Sequence, residues 1–266
     1  MSLTLTILGC GSSGGVPRLG QGWGACDPSN PRNRRSRCSV LIEREAPDGN
    51  RTTLLVDTSP DLREQLLRTG TERLDAVLLT HPHADHTHGI DDVRPLVIHM
   101  RQRIPIHMDD PTWDVVGHNF SYIFHTPPGS MYPPLLDRHR IVPPEPVTVE
   151  GPGGAIVVTP FVVDHGEIPA LGLRIGDLVY MPDVKRVPEA AVPMLSGLSH
   201  LIVDALRPQP HPSHFSLADA LDWIARMRPR EAVLTNLHTD LDYETLRREI
   251  PPGVTPAYDG LQIRLP

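Results

Sequence analysis

The segment His81-Pro82-His83-Ala84-Asp85-His86 places three imidazoles and a carboxylate within six consecutive positions. Imidazole nitrogens and carboxylate oxygens are ligands for zinc, manganese or iron. His81 and His83 alternate along the chain and can reach one ion together, while Asp85 and His86 lie a turn further and can reach a second. Imidazoles at this density cost stability if buried without partners, so a purely structural cluster has little to recommend it. A solvated histidine-rich loop is the competing reading. It does not explain why the motif follows directly on a buried apolar run. His88 falls outside the spacing and is assigned no role.

That apolar run, Ala76–Thr80, reads as a strand whose end holds the backbone still while the following loop turns its side chains inward. Similar short runs predict strands at Leu3–Leu8, Val40–Glu43, Thr53–Asp57, Ile104–Met108, Ile156–Val163, Leu171–Ile175, Leu178–Met181, Leu201–Val203, Ala232–Thr235 and Leu261–Arg264. Helical patterns lie between them. One spans Pro60–Thr69, entered through Ser59-Pro60 and closed by Gly70. Others are Ile90–Met100, Trp113–Phe124, Glu189–Leu195, Leu217–Met227 and Tyr243–Glu249. No linker or repeat divides the chain, so residues 1–266 read as one α/β domain of two stacked sheets with helices outside. Two stretches, 9–38 and 125–155, carry too many Gly and Pro for regular structure and are candidate walls of a site.

The bulk numbers narrow the class. Hydrophobic residues make up 39% and charged residues 21% of 266 residues, which is globular composition. A net charge of −7 argues against nucleic acid as a partner and against a membrane surface. Three cysteines, Cys10, Cys26 and Cys38, cannot all pair within the chain, which fits a reducing, cytoplasmic setting. The start, MSLTLTILG, has the alternation of a strand and is not expected to be a leader or an anchor. No run reaches the roughly 18 apolar residues of a membrane span.

The strand followed by H-P-H-A-D-H resembles the signature of the metallo-β-lactamase superfamily, and the resemblance runs along nearly the whole chain. It implies a four-layer αββα sandwich and two divalent metal ions, zinc or manganese. It also implies a set of further positions. Asp57, at the end of TTLLVDTS, would steady the ligand loop. His165 in VVDHGEIP and Asp183 in VYMPDV would be metal ligands with His81, His83, Asp85 and His86, with Asp183 bridging both ions. Asp85 is counted with the catalytic groups as well. The last ligand often directly follows the threonine of a Leu-Thr-His stretch, where this chain has Asn236. The role is therefore carried to His238, two residues on, which points to the same side if the segment is extended.

The phosphodiesterase branch of the superfamily has a histidine before a helix that protonates the leaving oxygen. His214, before the amphipathic run from Ser216, matches it, and imidazole titrates in the right range for that work. The start MSLTLTILGCGSSGGVP…WGAC is similar to that of the cyclic ribose phosphate phosphodiesterases of the carbon–phosphorus lyase pathway. Those enzymes also hold a structural zinc on clustered cysteines, whereas here Cys26 is followed by Asp27-Pro28. The implied activity is hydrolysis of a small nucleotide-like or cyclic ribose phosphodiester by a metal-activated hydroxide, with His214 as general acid. Arg207 is a candidate phosphate contact and Tyr122 a candidate stacking face. Gly11–Gly15 and the run Arg32, Arg34, Arg35, Arg37 could also meet a phosphate. Thioester or lactam hydrolysis on the same metals, and transfer-RNA 3′ processing, are the competing activities. A homodimer is compatible with the resemblance.

Overall fold

The computed structural model describes residues 2–265. Its strands form two seven-stranded sheets. The first comprises β1 (Ser2–Gly9), β2 (Ser39–Glu45), β3 (Arg51–Val56), β4 (Ala76–Leu78), β5 (Ile104–Met108), β6 (Leu136–Arg140) and β14 (Gln262–Leu265). The second comprises β7 (Val147–Val149), β8 (Ile156–His165), β9 (Ile168–Ile175), β10 (Leu178–Met181), β11 (His200–Asp204), β12 (Glu231–Thr235) and β13 (Val254–Pro256). Their orders are β14-β1-β2-β3-β4-β5-β6 and β13-β12-β11-β10-β9-β8-β7.

Pairing follows the same plan in both sheets. From β14 to β3 the neighbours are antiparallel, and from β3 to β6 they are parallel. From β7 to β10 they are antiparallel, and from β10 to β13 parallel. Parallel strands need crossovers, and these carry the helices. On the first sheet they are α1 (Leu62–Thr69), α2 (Ala84–Thr87), α3 (Arg94–Met100), α4 (Asp110–Asn119) and α5 (Ser121–Phe124); on the second, α6 (Leu217–Met227) and α7 (Tyr243–Glu249).

Three apolar clusters show the layering. Ile7, Val40, Val56 and Leu78 of the first sheet pack on Val158, Leu173, Tyr180 and Ile202 of the second. Leu62, Leu66, Val97 and Val116 cover the outside of the first sheet, over Leu55 and Val77. Ala220, Leu246 and Ile250 cover the outside of the second, over Val179, Val203 and Leu234. The arrangement is the expected αββα sandwich. Strands at the centre of the second sheet, β10 and β11, are buried along their whole length, as strands covered on both faces must be. Among the described residues no helix is long and apolar enough to cross a membrane.

Several boundaries differ from the expectation. The first helix starts at Leu62, not Pro60, because Ser59 Oγ accepts from Asp61 N (3.2 Å) and donates to Gln65 (2.9 Å) in a turn ahead of the helix. The 90–100 helix divides at Pro95, which has no N–H to offer, into a 3₁₀ turn (Ile90–Val93) and α3. Asp109 caps α4 through Thr112 N, so that helix begins at Asp110, before Trp113. The 125–155 stretch is not all irregular, since it contains β6 and β7. The 9–38 stretch is tied down through Gly11, bridged to both Arg37 and Leu237, and through Val16, bridged to Arg35.

Candidate metal centre

Most side chains of the centre leave from the C-terminal ends of strands. Asp57 follows β3, the His81–His86 loop follows β4, and His165 ends β8. Asp183, Asp204 and Asn236 stand at the ends of β10, β11 and β12. A cross-sheet hydrogen bond, Leu171 N to Thr80 O (3.0 Å), joins the two layers beside the loop.

Asp57 is fully buried and left-handed (φ 62°), a conformation that Asp tolerates better than most residues. Its Oδ1 accepts from Thr80 N (2.8 Å), and its Oδ2 meets His86 Nδ1 (2.8 Å) and Thr80 Oγ1 (2.9 Å). Thr80 Oγ1 in turn lies 3.0 Å from His81 Nδ1. One carboxylate thus orients two imidazoles, turning Nε2 of each inward.

His81 Nε2 lies 3.1 Å from His83 Nδ1, which lies 3.2 Å from His165 Nε2. His165 Nδ1 donates to Ser213 O at 2.6 Å, which leaves Nε2 free to face the cluster. The ligand atoms of His81, His83 and His165 all fall within 4.8 Å of one another; those of His81, His86 and Asp183 form a second such group, and those of His165, Asp183 and His214 a third. Burial lowers the pKa of His81 strongly and those of His83 and His165 as well, which favours the neutral form that a ligand needs.

His86 Nε2 stands 2.8 Å from Asp183 Oδ2 and 3.5 Å from Asp85 Oδ2. Both His86 Nε2 and Asp183 Oδ2 are buried, and neither has a hydrogen-bond partner of acceptable geometry. Buried polar atoms left in this state are rare. A shared cation is the partner that would suit both. Burial opposes charge on His86, yet the carboxylates of Asp183, Asp57 and Asp85 outweigh it and raise its pKa well above the usual value. Positive charge is therefore favoured at that point. The donor set fits divalent metal ions.

His214 lies at the rim. Its Nδ1 is 2.8 Å from Asp204 Oδ2 and 3.2 Å from Asp183 Oδ1. Burial works against its charge, but Asp204 and Asp183 prevail and push its pKa up to about 9. Asp204 is fully buried, and its Oδ2 also accepts from Val184 N (3.1 Å). Sequence reasoning overlooked Asp204. The available signal was an aspartate ending an apolar strand, LIVD, much as Asp57 ends LLVD.

His238 does not join the cluster. Asn236 is left-handed (φ 61°), so the chain is not extended there and the alternation that carried the role to His238 breaks. His238 Nδ1 rests on Asp240 (3.0 Å), outside the groups that could hold an ion, while Asn236 Nδ2 donates to Asp183 Oδ1 (2.8 Å).

The candidate substrate contacts are not drawn in either. Arg207 Nη2 donates to Pro210 O (3.3 Å) within its own loop, and Tyr122 is exposed on α5 beside Asp91. Neither hydrogen-bonds the cluster among the described residues. The basic run disperses. Arg32 stacks on Tyr243 and Tyr258, Arg34 on Trp23, and Arg37 forms a two-point pair with Asp61. Arg35 is buried against Cys26, Asn33 and two backbone carbonyls.

Comparison with known proteins agrees with this geometry. The family description "Beta-lactamase superfamily domain" matches residues 52–236. A crystal structure of a new diphosphatase from the PhnP family is 36% identical, with a TM-score of 0.88, covering 100% of this chain and 98% of that one. An octanoyltransferase from Porphyromonas gingivalis is 34% identical over 261 residues, 96% of this chain. The chain spans 50% of that relative's length. Human tRNase Z, short form, shares the fold at 19% identity and a TM-score of 0.65.

Proposed function

The chain belongs to the β-lactamase superfamily, as a hydrolase of the metallo-β-lactamase fold, and on that premise we propose that it is a two-metal phosphohydrolase. Its substrate is a small nucleotide-like or cyclic ribose phosphodiester, or the P–O–P linkage of a diphosphate. The observation that carries this reading is His214, an imidazole at the rim of the cluster, within reach of His165 and Asp183 but fixed by the buried Asp204 and rich in proton affinity. The 36%-identical diphosphatase supports it.

In this reading His81, His83 and His165 would hold one ion, and Asp85, His86 and Asp183 would hold the other. Two divalent ions bound there, zinc or manganese, would supply a water nucleophile at neutral pH and neutralise charge on the phosphate. The protein does the rest. Asp57 keeps His86 and, through Thr80, His81 from rotating; Ser213 O does the same for His165. With Nδ1 committed to Asp204, His214 presents Nε2 to the leaving oxygen. As the new P–O bond forms, the bond to the leaving group breaks and His214 gives it the proton.

Purified protein loaded with zinc or manganese should turn over bis(p-nitrophenyl) phosphate, and should lose that turnover on chelation. A glutathione thioester and an octanoyl thioester, assayed alongside, test acyl hydrolysis, which draws support from the name of the Porphyromonas gingivalis relative. Faster thioester than diester turnover, or no metal-dependent diester cleavage, sinks the phosphohydrolase reading. Transfer-RNA processing has less behind it, because a net charge of −7 does not favour holding RNA and the likeness to human tRNase Z extends to the fold alone.

A further inference from the structure

The donors around the centre divide unequally. One side has three imidazoles, His81, His83 and His165, whose inward nitrogens gather within 4.8 Å. The other side has His86 Nε2, with carboxylate oxygens of Asp183 at 2.8 Å and Asp85 at 3.5 Å, and shares His81 with the first side. The next side chain to enter that side, from the end of β12, is Asn236, which is 2% exposed. Its Nδ2 donates to Asp183 Oδ1 at 2.8 Å.

An amide NH₂ carries only donor hydrogens and cannot bind a cation. The same Nδ2 lies 3.1 Å from His214 Nδ1, but rotating the amide would set its oxygen against the anionic Asp183 Oδ1, acceptor against acceptor, so the carboxylate favours the amide as it stands. Nor can a neighbour take its place, since His238 is turned to Asp240. Asn236 therefore orients Asp183 from a position where a ligand atom would complete the second half of the centre.

We infer that the two metal positions are chemically unequal and that Asn236 sets the difference. The position of His81, His83 and His165 is nitrogen-rich and binds zinc tightly. The position of His86, Asp85 and Asp183 is oxygen-rich and short of a ligand; it binds more weakly and discriminates less between zinc and manganese. This rests on the reading of the cluster as a metal centre.

The test counts metal and does not depend on turnover. Chelator-stripped protein is titrated with zinc against a chromophoric competitor, and bound metal is counted by mass spectrometry. Two steps are expected, the first near one zinc per chain and the second weaker by about 10- to 100-fold, the scale of a lost supporting ligand. Manganese added after the first step should give a bound-manganese electron paramagnetic resonance signal. Asn236→His should tighten the second step by about tenfold or more. Two ions bound in one step by the wild-type protein overturn the inference, as does an unchanged second step in a folded Asn236→His variant. Should that variant fail to fold, by circular dichroism, the wild-type titration still decides. Diester turnover in excess metal is read separately. Equal binding with turnover removes only this inference, and no metal uptake removes the phosphohydrolase reading as well.

Discussion

His214 differs from the other imidazoles of the centre in what fixes it. His81 and His86 are oriented through Asp57 and His165 by a backbone carbonyl, whereas His214 is held by Asp204 and stands 16% exposed. An acid needs that combination of fixed geometry and access. His214→Ala should lower turnover of a diester with a poor leaving group by about 10²- to 10⁴-fold, and much less with p-nitrophenolate, which leaves without a proton. Equal loss on both would remove His214 from the acid role. Because the protonated form is the active one, turnover should fall as pH rises through the histidine's pKa. That value lies near 9 from the surrounding carboxylates, and bound cations draw it downward. The alkaline fall should vanish in His214→Ala and shift to lower pH in Asp204→Asn. At this scale the contiguous motif was legible because six neighbouring residues share one loop. The placement expected of His238 is not found because alternation assumes extended backbone, and one left-handed residue, Asn236, breaks it.

The strands most readable in the sequence are those with apolar runs, and all of them but β14 lie inside the sheets. The strands it does not announce are β6, β7 and β13, and all three are sheet edges. An edge strand needs little apolar content and tolerates charge and proline, as LDRHR and VTP illustrate. The 9–38 stretch was rightly read as irregular, but its anchor could not be foreseen. Arg35 is 1% exposed and binds Leu241 O (2.8 Å), His238 O (3.3 Å) and Asn33 Oδ1 (3.2 Å), with Cys26 Sγ at 3.8 Å. It fastens the loop to the segment after β12, next to Asn236. Arg35→Met keeps the volume but strands those acceptors, so it should cost about 2–4 kcal/mol in urea unfolding. A loss below about 0.5 kcal/mol, the range of ordinary surface changes, would show that the loop is held some other way.

Seen whole, the molecule builds its centre where two similarly organised sheets change character. β3 and β10 are the strands at which pairing switches from antiparallel to parallel, and each is followed by an aspartate of the centre, Asp57 or Asp183. Each of these strands enters from a short hairpin and leaves from its C-terminal end into a crossover, and the aspartate stands at that exit. Loss of metal should therefore loosen both layers together. A ligand at 1,000 times its Kd adds about 4 kcal/mol to folding stability. Chelation should accordingly lower the unfolding temperature by several degrees, about 2–4 °C per kcal/mol at this chain length. That gap should depend on pH in a definite direction. His81, His83 and His165 have lowered pKa values in the fold, so the unfolded chain binds more protons than the folded one below the ordinary imidazole value of 6.5. Their contribution is present above pH 6.5 and is lost as pH falls, and protons compete with metal for the same nitrogens. His86, with its raised pKa, acts in the opposite sense: without metal it favours the fold below 6.5, and that help fades as pH rises through its folded value. The temperature gap between loaded and stripped protein should thus be widest in mild alkali and close on acidification below about 6.5. Differential scanning fluorimetry across pH 5–9, with and without chelator, measures it. A gap independent of pH would mean that the metal is not held by these imidazoles.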